Sequence, residues 1–131
     1  MKKLIYLFVI VLLASCGGKK EAAKTEEYAN PDDKPKASST AQITEGEALV
    51  KGSDCKTCHH PTNKIIGPAH ADVAKKYDFT EANVKMLAKK IIEGGQGVWG
   101  EIPMTAHVGL TQVDAEKMAR YVLSLDGETE H

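Results

Sequence analysis

The chain has 131 residues, 42% of them hydrophobic and 27% charged, with a formal net charge of −1. That length holds one small domain, and the balance of charged and apolar residues is that of a chain that folds. Near-neutral charge gives no whole-chain case for nucleic-acid binding, and three cysteines cannot make a disulfide framework.

Lys2 and Lys3 precede an unbroken apolar run from Leu4 to Ala14. The run is too short for a bilayer, which needs about 20 residues, but it suits the core of a signal peptide. It closes on Leu13-Ala14-Ser15-Cys16, which resembles a bacterial lipoprotein cleavage box. The resemblance implies cleavage before Cys16 and lipid on that cysteine, an anchor of several acyl chains. An ordinary signal peptide and an uncleaved anchor are the alternatives. Residues 17–40 contain no Leu, Ile, Val, Phe or Met, and their five lysines balance five acids. Such a segment buries too little apolar surface to order itself. The expected organisation is therefore a signal peptide over 1–15, a lipidated cysteine and disordered tether over 16–40, and a folded domain over 41–131. As a flexible coil the tether spans roughly 25–30 Å.

The folded part reads as all-α, since no sustained period-two alternation supports strands. Thr44-Glu45-Gly46-Glu47 has capping-box spacing and opens a first helix of about two turns. Next comes Cys55-Lys56-Thr57-Cys58-His59. In an exported chain, C-x-x-C-H reads as covalent haem attachment: each thiol adds to one vinyl group, and the adjacent imidazole faces the iron. A redox dithiol and half of a zinc site are the alternatives. Pro68 is placed to open a short second helix, Ala69–Tyr77. Thr80 caps a third, whose apolar stripe is Val84, Leu87, Ala88, Ile91 and Ile92, and Gly94-Gly95 stops it. A Gly/Pro-rich loop, 94–110, leads to a last helix capped by Thr111, with Ala115, Met118, Val122 and Leu125 on its inner face. Four or five short helices make a thin core, which a buried porphyrin would fill.

One iron has a second axial position. Met104 is the expected ligand, because Pro103 stiffens the loop that presents it. Met86 and Met118 lie at helical spacing and read as core. His60 follows the proximal ligand too closely to reach the opposite face, and His70 reads as exposed on the second helix. His107, three residues beyond Met104, is the rival.

From about Ala41 to Leu125 the chain resembles the class I cytochromes c, especially the small bacterial members with one haem. The pieces that carry this are Cys55–His59, Ile66-Gly67-Pro68, Gln96-Gly97-Val98-Trp99-Gly100 and Ile102-Pro103-Met104. The resemblance implies a small cytochrome c fold wrapped around one haem c, bound through Cys55 and Cys58 with iron held by His59 and Met104. It implies that Pro68 accepts a hydrogen bond from His59, that Trp99 donates to a haem propionate, and that Lys90 pairs with a propionate. Plain core packing is the other reading of Trp99, and a solvated helix lysine that of Lys90. It also implies crossing first and last helices, meeting through Gly46, Leu49, Val50, Tyr121 and Leu125. Glu101 stands where relatives often place proline. His107 stands where they often place an asparagine that bonds the methionine sulfur, and its protonation would make the potential pH-dependent near neutrality.

The implied function is a membrane-tethered carrier of single electrons between respiratory partners, not an enzyme. The partners implied are a terminal oxidase, a quinol-oxidising complex or a periplasmic reductase, with the carrier a monomer. Residues 55–90 hold seven lysines against three acids, and residues 91–131 hold two basic residues against seven acids, an asymmetry suited to oriented docking. The competing functions are an open-site haem peroxidase or gas-binding protein, and an anchored thiol oxidoreductase using Cys55 and Cys58.

Overall fold

Ser38 fixes where the first helix begins: its side chain accepts from the backbone N–H of Ala41 at 3.3 Å. The computed structural model describes residues 38–131, and α1 runs Ser39–Gly52. The helix therefore starts five residues before the expected Thr44 cap and takes in two residues of the expected tether. Inside it, the Thr44 hydroxyl donates to the Thr40 carbonyl at 3.0 Å, a bond available only when Thr44 is already helical. The expected signal segment, Cys16 and the rest of the expected tether lie outside the described residues.

A short 3-10 turn, Asp54–Thr57, carries Cys55, and a second, Ser124–Asp126, follows the last helix. Helix α2 is His70–Lys76, α3 is Glu81–Glu93 and α4 is Gln112–Leu123. The expected caps of α3 and α4 form: Thr80 accepts from Asn83 N–H at 3.3 Å, and Thr111 from Asp114 N–H at 3.1 Å. Helix α2 starts one residue later than expected, with Ala69 as its cap residue. Pro68 thus lies before the helix and keeps its carbonyl for another partner. Among the described residues there is no strand, only two isolated bridges, His59 with Lys64 and Gly95 with Met104.

Helices α1 and α4 cross at Gly46, which is buried. Val50, Val73, Met118, Tyr121 and Val122 form one core cluster, with Ile43, Leu49 and Leu125 packed against it. With Gly46, these include the expected crossing residues Leu49, Val50, Tyr121 and Leu125. A second cluster joins Phe79, Val84, Ala119 and Leu123. Phe79 is fully buried although it lies outside any helix, and its backbone is bonded at both ends by the C-terminal tail. Its N–H donates to Glu128 at 3.2 Å, and its carbonyl accepts from His131 N–H at 3.1 Å.

Periodicity gave no sign of the role of Arg120. It is 3% exposed and faces Glu81, Glu116 at 3.7 Å and Glu130 at 3.2 Å. Ser39 also donates to Glu130 at 3.2 Å. One guanidinium therefore joins α3, α4 and the tail, and through Glu130 the start of α1. Burial pushes the Glu81 carboxyl up, but its hydrogen bond with Glu130 and the charges of Arg120 and Lys85 together hold it below the usual range. A depressed carboxylate stabilises the fold above its unfolded-state pKa, and that contribution is lost as pH falls through the folded-state value. Arg120→Met leaves three carboxylates clustered without their cation, and is expected to cost about 3 kcal/mol by denaturant unfolding at pH 7. The deficit should shrink in acid. An equal deficit at pH 7 and pH 3 would refute the electrostatic role.

Candidate functional site

The 3-10 turn brings the cysteine pair and His59 together. The Cys58 and His59 N–H groups both donate to the Cys55 carbonyl, at 3.1 and 2.8 Å. Both cysteines are free thiols of intermediate burial. The His59 Nδ1–H donates to the Pro68 carbonyl at 2.8 Å, the bond the sequence resemblance implied. A carbonyl only accepts, so the proton is on Nδ1 and the Nε2 lone pair is left for a metal. Gly67 makes room for the ring. A Cβ there would lie 2.5–3.0 Å from three of its atoms.

These groups line a cavity of about 620 Å³, and Lys90, Trp99, Met104 and His107 line it too. Five large apolar side chains on its wall are exposed: Ile65, Ile66, Val98, Trp99 and Ile102. Apolar surface of that extent around a concave site marks a ligand-binding surface. Two thiols, one oriented imidazole, a thioether and apolar walls on one cavity fit a haem attached through Cys55 and Cys58. Among the described residues no group of three or more His, Cys, Asp or Glu side chains is placed to hold a metal ion. The half-zinc reading of the two cysteines thus finds no partner ligands there.

Met104 is seated by backbone. Its N–H donates to the Gly95 carbonyl at 2.8 Å, closing the bridge between these two residues. Gly94 has φ +81°, and a Cβ there would stand 2.6 Å from the Met104 carbonyl oxygen. The glycine pair that reads in sequence as a helix stop is therefore also the seat of the methionine loop. The pair of adjacent glycines at the helix end, one of them free to take a positive φ, is the only sequence signal for it.

One histidine differs from expectation, and a second is held by the protein around it. His70 is buried, not exposed, and its ring stacks on His59 with centroids 5.2 Å apart. Burial first, then the neighbouring His59 and His60 imidazoles, lowers its pKa to about 4, so the ring is neutral at physiological pH. Its Nδ1 is buried without a hydrogen-bond partner among the described residues. His107, the rival distal ligand, has both ring nitrogens engaged by protein: Nδ1 with the Ile91 carbonyl at 3.2 Å and Nε2 with Asp54 at 3.1 Å. Met118 is core, 1% exposed, as its spacing implied. Trp99 is on the cavity wall, 38% exposed, with the Lys76 ammonium 5.5 Å from its ring centroid. Lys76 sits at the end of α2, and nothing in its lysine-rich stretch of sequence set it apart.

Residues 43–126 match the family model for cytochrome c. The chain is 44% identical over 79 residues to cytochrome c-552 of Hydrogenobacter thermophilus, covering 60% of this chain and 80% of that protein. It is 42% identical over 85 residues to cytochrome c-551 of Stutzerimonas stutzeri, covering 65% of this chain and 81% of that protein. The crystal structure of Nitrosomonas europaea cytochrome c552 superposes with a TM-score of 0.58 at 39% identity. That match covers 61% of this chain and 99% of the other.

Proposed function

Because the chain belongs to the cytochrome c family, we propose that it is a monohaem electron carrier of the cell envelope, tethered by lipid on Cys16 and facing the periplasm. The matched proteins are cytochromes c, electron carriers rather than enzymes. The proposed division is a signal peptide over 1–15, a lipidated cysteine and tether over 16–40, and the cytochrome domain beyond. The observation that carries the reading is the pairing of His59, fixed by Pro68, with a backbone-seated Met104 on one cavity beside two free thiols.

When bound, the haem supplies an iron that cycles between ferrous and ferric. Cys55 and Cys58 would hold it covalently and keep it through unfolding. His59 would be one iron ligand, its ring fixed by the Pro68 carbonyl, which also raises its basicity. Met104 would be the other, a thioether that would raise the potential and leave no open site for oxygen or substrate. Trp99 and Lys90, both lining the cavity, are placed to serve the propionates. A monomer of this kind docks briefly through a small interface, and the lysine-rich first half of the domain favours an acidic partner surface. A terminal oxidase, a quinol-oxidising complex and a periplasmic reductase are the partner classes proposed.

The test is a visible spectrum of the full chain matured with haem-attachment machinery, taken on washed membranes and on purified protein. Expected are colour in the membrane fraction, a sharp reduced α band, and the weak red sulfur-to-ferric-iron band. A haem spectrum lacking the red band would overturn methionine ligation in favour of an open site. A colourless protein with reactive thiols would overturn the whole reading in favour of a thiol oxidoreductase.

A further inference from the structure

The loop that carries Met104 is tied at both ends. The first tie is the bridge to Gly95. The second is His107, and it reaches further than the loop. Its backbone N–H donates to the Ile91 carbonyl at 3.2 Å, and its Nδ1 faces the same carbonyl at 3.2 Å. Its Nε2 lies 3.1 Å from the Asp54 carboxylate. Ile91 belongs to the last turn of α3, where carbonyls lack helical partners and carry partial negative charge. Asp54 opens the 3-10 turn and immediately precedes Cys55. One imidazole therefore links the end of α3, the methionine loop and the turn that bears the cysteines.

We propose that His107 is the positioning residue for the distal ligand: through its bonds to Asp54 and Ile91 it holds the Met104 loop against the haem-attachment turn. The proposal rests on Met104 being the ligand. Both partners of the ring are acceptors. A neutral imidazole has one N–H and donates to one of them, whereas the imidazolium donates to both. The hold is complete with the charged ring and half-made with the neutral one. The other charged groups on the elements around it are Lys56 on the turn, Glu81, Lys85, Lys89, Lys90 and Glu93 on α3, and Glu101 in the loop. Lys89 pairs with Glu93 at 3.8 Å, and among the described residues Asp54 is the charged group that reaches the ring. The ring side chain is 20% exposed and Asp54 is 74% exposed, so added salt weakens the charged half of the tie.

The test uses the haem-loaded full chain in the ferric state. The rate at which added imidazole displaces methionine is followed through loss of the red band. His107→Ala is expected to speed displacement about tenfold, from loss of about one net hydrogen bond. His107→Gln, which keeps one donor, should restore part of the difference, and Asp54→Asn should speed displacement about threefold. Asp54→Asn in the His107→Ala background should add nothing further. A role confined to general stability would give neither the rescue by His107→Gln nor the coupling to Asp54. Equal rates for parent and His107→Ala, or full additivity with Asp54→Asn, would overturn the proposal. A parent chain without the red band would overturn methionine ligation itself, which distinguishes that failure from this one.

Discussion

Met104→Ala is expected to abolish the red band, open the ferric iron to added ligands and lower the midpoint potential by about tenths of a volt, within the span axial ligands command. The expectation follows from how little freedom the residue has. Pro103 fixes the preceding φ, the Met104 N–H is bonded to Gly95, and Gly94 leaves no space between its Cα and the Met104 carbonyl. A thioether delivered from such a seat would lose little entropy on ligation, and thioether ligation would favour the ferrous state. The natural competitor is His107, but its ring lies against the Ile91 carbonyl at 3.2 Å and the Asp54 carboxylate at 3.1 Å. Spectroelectrochemical titration of parent and variant reads the shift directly. Retention of the red band in Met104→Ala would pass the role to another sulfur. Met86 and Met118 also line the cavity, and Met118→Leu is the comparison to make.

Much of this was legible in the sequence because the signals were local. The cysteine–histidine motif, the Thr80 and Thr111 caps and the stripe of α3 each depend on residues a few positions apart, and the structure keeps them. Where the reading failed, the deciding partner was distant or ambiguous. Thr44 satisfied the capping-box pattern, yet Ser38 was an equally good cap six residues earlier, and tertiary contact with α4 supports the longer helix. His70 looked polar and exposed because burial there is decided by His59, eleven positions away. Arg120 falls among helix residues that usually face water. Only its three carboxylates, drawn from α3, α4 and the tail, show why it is buried. His107 stood out in the sequence, but its partner Asp54 lies 53 positions earlier, and no spacing rule connects them.

Gly46→Ala is expected to be the most damaging single-methyl change in the domain. A Cβ at Gly46 would stand 1.9 Å from the Lys117 carbonyl oxygen and 2.5 Å from its carbon. Both are backbone atoms, so no rotamer change relieves the clash and α4 itself must move. Overpacking of this kind costs about 3 kcal/mol or more where backbone must shift. Helix α4 also supplies Met118, Ala119 and Val122 to the cavity wall, so the displacement carries into the site. A broadened haem spectrum should therefore accompany the loss of stability. Gly52, at the other end of the same helix, has nothing within 4 Å of its Cβ position. Gly52→Ala is expected to be neutral or to stabilise by up to about 1 kcal/mol, through helix propensity alone. Guanidinium unfolding of the haem-loaded chain compares the two, because covalent attachment keeps the cofactor on the unfolded state. If both alanines left the midpoint unchanged, close approach at the α1–α4 crossing would not be what holds this domain together. If both lowered it equally, the loss would come from the glycines' own conformations and not from the contact.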